Sequence, residues 1–402
     1  MPRNPSPKNL IVNNGKVVEE CNTATGWTVS SGTAGNVASS FYSDKNQSIL
    51  LSVTSAGSNA QIQKTGLNVN MSDVETVEFV FKISDRLKMN DLRLAFYNDS
   101  TNYFYCYLPI QATDNVTFHG WYKMRVSTKD FQAQGSPNWN LPITRVGIRS
   151  ASLAGQTHTV ICDRISYNVK GIPKIVFTYD DGWQSVYDKA FPIHQEFGQK
   201  ATTWIVSNFA QGNDPMYAKR STLDILYAAG WDIGNHSKDH NITIGDLTTQ
   251  QQIDQYKTCR DLLYNWGYSR GADHVCYPAG HFNDGLIEVL KSLGVKTART
   301  TVSDIQATPA ENLYKLKCYP LGSTTTRTDV LKILQRAMDT GCSIHFMLHR
   351  IENTPIPPIE SICYPTAELR WLAETVKTMG FDVVTISEWY ESLSNPRKRI
   401  LR

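Results

Sequence analysis

Two carboxylates stand side by side in Thr178-Tyr179-Asp180-Asp181-Gly182, directly after the apolar run Ile175-Val176-Phe177. Adjacent acids at the end of a buried strand are costly unless a cation or a proton neutralises them. Neighbouring positions also point different ways, so one Asp can bind a metal while the other addresses bound water. The competing reading is a solvated turn, because Asp-Gly is a common turn pair. Downstream, His236-Ser237-Lys238-Asp239-His240 offers two imidazoles that one helical turn or a tight loop could bring onto a single ion. Two surface histidines after a strand are the alternative there. In Ser343 to Arg350, strand alternation puts His345, Met347 and His349 on one face. A histidine at the C-terminal end of a barrel strand is well placed for catalysis, which suits His349; His345 reads better as a buried structural residue. One Asp and two His make a ligand set for zinc or another divalent metal. A second Asp and a third His remain as base and acid, the parts needed for metal-assisted hydrolysis of an amide or ester.

Such residues need strand ends to hold them, and the chain supplies these after Gly171-Ile172-Pro173. Extended apolar runs at 174–179, 201–206, 231–235, 274–277, 296–298, 343–348 and 382–386 alternate with helical windows at 185–197, 221–229, 248–266, 284–293, 329–340 and 366–379. This order indicates parallel strands with helical crossovers, hence a barrel or an open α/β sheet. The first half has another texture. Segments such as 48–54, 77–83 and 102–108 alternate apolar and polar residues between Ser/Gly/Asn/Asp turns. In the second of these, Val77, Phe79, Phe81 and Ile83 share one face and Glu78 and Lys82 the other, the mark of a half-buried antiparallel strand. An all-β, jelly-roll-like sandwich over 1–171 follows. Its aromatics, Tyr103, Tyr105, Tyr107, Trp121, Tyr122 and Trp139, could stack on sugars. Core filling is the expectation for most of them.

The motifs TYDDG, HSKDH, CYPAG and FMLH, in that order, resemble the polysaccharide deacetylase (NodB homology) domain of carbohydrate esterase family 4 over roughly 173–393. The resemblance implies a distorted (β/α)7 barrel spanning 172–402 that removes acetyl groups from a polysaccharide and releases acetate, an N-acetyl amide being favoured over an O-acetyl ester. It implies one divalent metal, zinc foremost and cobalt, nickel or manganese as alternatives, on Asp181, His236 and His240. Asp180 would then be the general base and His349 the general acid. Tyr277, Pro278 and Ala279 would line the groove, the amide near Ala279 helping to hold the oxyanion. Two positions depart from the family: Cys276 stands where an arginine is usual, and Ala279 where an aromatic is usual. Arg299, from a neighbouring strand, is the candidate replacement for that arginine. Asp304 is the candidate for the fourth motif's aspartate, without the accompanying tryptophan. The alternative function is a non-catalytic glycan-binding or virion/tail structural protein on a deacetylase scaffold; a small-molecule amidase or imidase is a third.

Composition narrows the partners. The net charge is +3 over 402 residues, with no long block of like charge, which argues against nucleic acid and against a membrane surface. No apolar stretch approaches the roughly 18 residues of a membrane span. Met1 to Lys8 lacks the apolar core of a signal peptide. Action outside the cell or on a virion such as a phage tail is expected, with cytoplasmic action as the alternative. The eight cysteines show no CxxC spacing, which argues against a zinc-thiolate site, and their odd numbers in each half fit a chain folded under reducing conditions, with disulfides as the alternative. A homo-oligomer built through the first domain is the other partner considered, beside the acetylated glycan itself.

Overall fold

Antiparallel sheets commonly bury one face, and parallel strands with helical crossovers bury both; the chain contains one region of each kind. The computed structural model describes residues 15–41, 47–110, 120–169, 171–354 and 360–394. It divides into two compact units, with the main boundary between Gly171 and Ile172.

The first unit is a sandwich of two six-stranded antiparallel sheets. One runs Thr33–Val37, Ser48–Val53, His158–Tyr167, Thr76–Ile83, Gly120–Ser127, with Lys16–Glu19 also paired to His158–Tyr167. The other runs Gln132–Gln134, Tyr103–Tyr107, Met89–Tyr97, Ile143–Ser152, Asn59–Val69, Trp27–Ser31. Ile49, Leu51, Phe79 and Phe81 of the first sheet and Ile62, Leu94, Phe96 and Ile148 of the second are fully buried. A buried hydrogen bond of 2.7 Å between Ser150 and His158 ties one sheet to the other.

Two details differ from the sequence reading. Glu78 is buried rather than solvated, because its carboxylate accepts from Arg125 Nε at 2.8 Å. Among the six aromatics expected mostly in the core, Tyr122 is buried, but Tyr107 is 45% exposed and the other four are half-buried. For the tyrosines at 103, 105 and 107 the register explains this: Tyr105 stands opposite Ala95, and Cys106 opposite Leu94. The odd-numbered tyrosines therefore share the face of Arg93, not that of Leu94 and Phe96.

The second unit is a closed parallel barrel. Its strands are Lys174–Tyr179, Thr202–Ile205, Asp232–Asn235, His274–Cys276, Thr297–Ser303, Leu316–Pro320 and Ile344–Leu348. The ring closes by pairing of the seventh strand with the first, while Asp382–Val383 adds an eighth strand outside it on Lys174–Tyr179. The sequence reading omitted the sixth strand, because Lys317 breaks its apolar run. That lysine is buried, 2.7 Å from Glu311 and 3.5 Å from Asp304. The extended run expected to reach Ile386 stops at Val383, and Ile386–Ser394 is a helix. A capping box causes the switch: Thr385 N–H donates to Glu388 Oε2 at 3.0 Å, and Glu388 N–H donates to Thr385 Oγ1 at 3.4 Å. All eight cysteines are buried, with free thiols. Among the described residues no helix is long and apolar enough to cross a membrane.

Candidate active site

The polar residues singled out from the sequence gather where the barrel strands end. Asp180 follows the first strand and continues its ladder, donating N–H to Leu348 O at 2.8 Å. His236 follows the third strand, its N–H on Ile205 O at 3.0 Å, and Tyr277 follows the fourth, its N–H on Arg299 O at 3.1 Å. His349 follows the seventh. Strand pairing thus fixes each backbone up to the residue that carries the chemistry, at the end where parallel barrels place their sites.

Beyond the ladders the backbone is strained. Six described non-glycine residues have positive φ, and four are here: Asp181 (71°), Ser237 (71°), His240 (62°) and Ala279 (51°). Such conformations persist only where the surroundings hold them, and they gather at functional sites. Gly182 continues the left-handed turn at φ 72°.

The HSKDH segment is a tight loop and not a helix. Asn235 Oδ1 accepts from Ser237 N–H at 3.0 Å, and Ser237 Oγ accepts from His240 N–H at 3.1 Å. Gln255, on the helix Thr249–Asn265, accepts from the amides of Lys238 and Asp239 and donates to the Asp239 carboxylate at 2.8 Å. Asp239 is thereby occupied outside the cluster. Gln255 went unnoticed in the sequence; its only signal is a glutamine on the buried face of an otherwise polar helix.

Asp181, His236 and His240 converge. Asp181 Oδ1 lies 3.4 Å from His236 Nε2 and 3.3 Å from His240 Nε2. Its other oxygen, Oδ2, accepts from Trp183 Nε1 at 3.1 Å. Oδ1 itself is buried and has no hydrogen bond. His236 is buried with Nδ1 2.9 Å from Cys276 O; a proton on Nδ1 directed at that carbonyl leaves Nε2 as a ligand atom. An orphaned carboxylate oxygen facing two imidazole nitrogens fits a divalent cation. Burial pushes the Asp181 carboxyl up, but the three histidines around it outweigh burial and hold it below the usual range.

A second set of potential ligand atoms, Asp180, His236 and Cys276, is equally close. It fits a cation poorly, because the Arg299 guanidinium already fills it. Arg299 Nη2 donates to Asp180 Oδ1 at 2.6 Å and also reaches Oδ2, in an ion pair whose side chains are only 1% and 5% exposed. Burial alone would raise the Asp180 carboxyl; Arg299, then His349 and His236, lower it instead. His349 Nε2 stands 3.8 Å from Asp180 Oδ2 and remains partly open to solvent. Cys276 contributes its thiol at 3.6 Å from the same oxygen.

The remaining candidates divide. Tyr277 and Pro278 are buried at the turn Pro278–Gly280, and Ala279 is exposed at its tip. Asp304 makes no described contact with the cluster: Arg336 at 2.7 Å and Lys317 hold its carboxylate. His345 is buried edge-on against Trp389, with no hydrogen bond to either ring nitrogen.

Comparison with known proteins places this geometry. Residues 168–298 match the family model described as polysaccharide deacetylase, so a domain of that family occupies this stretch. Arg299 and His349 lie beyond the matched residues. The chain is 27% identical over 166 residues to the poly-beta-1,6-N-acetyl-D-glucosamine N-deacetylase of Staphylococcus epidermidis, covering 38% of this chain and 57% of that protein. It is 24% identical over 163 residues to the Staphylococcus aureus protein of the same name, covering 37% and 55%. The chain therefore spans about half the length of the curated relatives it matches. Among solved structures, the family 4 carbohydrate esterase from Streptomyces lividans in complex with acetate is 17% identical, over 52% of this chain and 91% of that one, with a TM-score of 0.37. The Xyl-CE4 domain of a multidomain xylanase from the hindgut metagenome of Trinervitermes trinervoides is 15% identical over 56% and 92%, with a TM-score of 0.40.

Proposed function

We propose that the second unit hydrolyses acetamido groups of an N-acetylhexosamine polysaccharide, releasing acetate and a free amine, with one divalent cation, zinc by its donor set, on Asp181, His236 and His240. The observation that carries this reading is the Asp181 Oδ1 atom, buried, without a hydrogen bond, and faced by two imidazole nitrogens. A divalent cation supplies Lewis-acid polarisation of an acyl carbonyl and an acidified water.

The chain's own residues account for the proton movements. Arg299 keeps Asp180 ionised, so this carboxylate is the acceptor for the proton lost as water attacks the acetyl carbon. His349, across from Asp180 and partly solvated, donates to the departing nitrogen as the C–N bond breaks. The Ala279 amide, on a turn held in a left-handed conformation, is the candidate donor to the oxyanion. The names of the staphylococcal relatives favour β-1,6-linked N-acetylglucosamine over other polymers. The test is acetate release by the full chain, with zinc supplied, from β-1,6- and β-1,4-linked N-acetylglucosamine oligomers, peptidoglycan and acetylxylan. Release from an N-acetylated glycan is expected; release from acetylxylan alone would move the reading to an esterase, and none at all would defeat it.

A further inference from the structure

The sandwich carries a partly exposed face whose composition differs from both a core and an ordinary surface. Tyr103, Tyr105 and Tyr107 form a row along one strand, successive ring centroids 6.0 Å apart. Tyr97 on the neighbouring strand, itself buried, lies 4.5 Å from Tyr103 and backs the row. Two guanidiniums flank it: Arg93 sits over the Tyr105 ring at 5.6 Å and Arg145 over the Tyr97 ring at 5.1 Å. Arg145 also donates to the Gln63 side-chain carbonyl at 3.3 Å, while its buried Nε has no partner. Gly147 beneath them is buried and covered by the Tyr97 ring, which a Cβ there would meet at 3.3 Å.

This chemistry selects among occupants. A protein partner would call for an apolar interface core. The alternate positions of 91–97, 103–107 and 145–151 on this face include no aliphatic residue larger than alanine. A nucleic acid would call for free cations along a backbone track. Here Arg149 is held by Asp91 at 2.9 Å, and Arg93 and Arg145 lie over rings. A sugar chain needs what is present: aromatic rings for its C–H faces, here turned 48° and 88° from one to the next, with guanidinium, amide and phenol groups beside them for its hydroxyls. We infer that this tyrosine face binds an extended polysaccharide, the polymer on which the second unit acts. The identity of that polymer rests on the function proposed above.

The experiment uses the full chain and sensor-immobilised poly-β-1,6-N-acetylglucosamine, with a β-1,4-linked N-acetylglucosamine hexamer as a second probe. Tyr105→Ala/Tyr107→Ala should weaken polymer binding by about tenfold or more. The Tyr105→Phe/Tyr107→Phe pair, which keeps the rings and any fold they support, should retain it. Acetate release from a soluble trisaccharide should be unchanged in both. Tyrosine-dependent polymer binding without acetate release by the wild type would sustain the face and defeat the catalytic reading. Acetate release with equal polymer binding by the Ala pair and the wild type would do the reverse. No polymer binding by the wild type would overturn the inference, as would a face whose Ala pair instead loses single-stranded DNA binding or self-association in sedimentation.

Discussion

The two units keep their polar chemistry in different places. In the barrel the reacting groups stand at strand ends: both faces of the parallel strands are buried, and Asp180, His236 and His349 directly follow the last strand positions. In the sandwich the polar chemistry lies on a strand face, where Tyr103, Tyr105 and Tyr107 alternate with residues turned towards the core. Strand-end sites are compact and desolvated, suited to forcing charges together. Strand-face sites are broad and wet, suited to holding a long ligand. Charge removal should therefore have large effects at the strand-end site and small ones on the tyrosine face.

The largest effect is expected at the cation site. His236→Ala or His240→Ala should strip the bound metal and abolish acetate release; metal analysis beside an acetate assay checks both, and full occupancy with activity in either variant would remove the triad. Next come the proton carriers. His349→Ala should keep the metal and slow turnover by about 10²–10⁴-fold, the range for losing a general acid. A loss of metal in that variant would instead make His349 a ligand.

Ion pairs give the direct contrast. Breaking the buried Arg299–Asp180 pair with Arg299→Met strands a desolvated carboxylate and should cost about 3–5 kcal/mol. The double change Arg299→Met/Asp180→Asn should recover part of that. Arg149→Met, in a pair whose side chains are 23% and 21% exposed, should cost under about 1 kcal/mol. Urea titrations of the three variants measure the difference, and equal losses would erase the distinction between the strand-end site and the tyrosine face.

The buried histidines give the contrast in pH dependence. Burial holds His194 down at about 4 and His274 and His345 at about 3. Each stays neutral when folded but takes up a proton in the unfolded chain below its ordinary value of 6.5. The unfolded state then binds more protons, so stability is complete above that value and falls as pH drops towards 4. The slope should be about 1 kcal/mol per pH unit for each histidine. In the first unit His158 is the described histidine lowered in the same way, so its unfolding transition should shift less with acid.

The barrel was the more legible unit. Its strands read as apolar runs, and the two acids and three histidines stood in short motifs at their ends. Legibility failed where tertiary partners override local pattern. Lys317 hid a strand because its buried partners Glu311 and Asp304 are invisible in the sequence, and Asp304, offered for the site, serves that ionic cluster. Gln255 holds the histidine loop from a helix whose pattern gave no hint of it. In the sandwich the alternation of residues 103–107 is readable, but which face meets the core depends on pairing with Met89–Tyr97, and Tyr103, Tyr105 and Tyr107 lie on the face away from the core expected for them.

The division of labour between the adjacent aspartates is the sharpest point in the proposed chemistry. Asp181 faces the two imidazoles, and Asp180 is locked to Arg299. Asp180→Asn and Asp181→Asn should be prepared in parallel and their bound zinc counted beside their acetate release. Both should lose turnover, with zinc retained in Asp180→Asn and lost in Asp181→Asn. Zinc lost from Asp180→Asn and retained in Asp181→Asn would contradict the assignment outright.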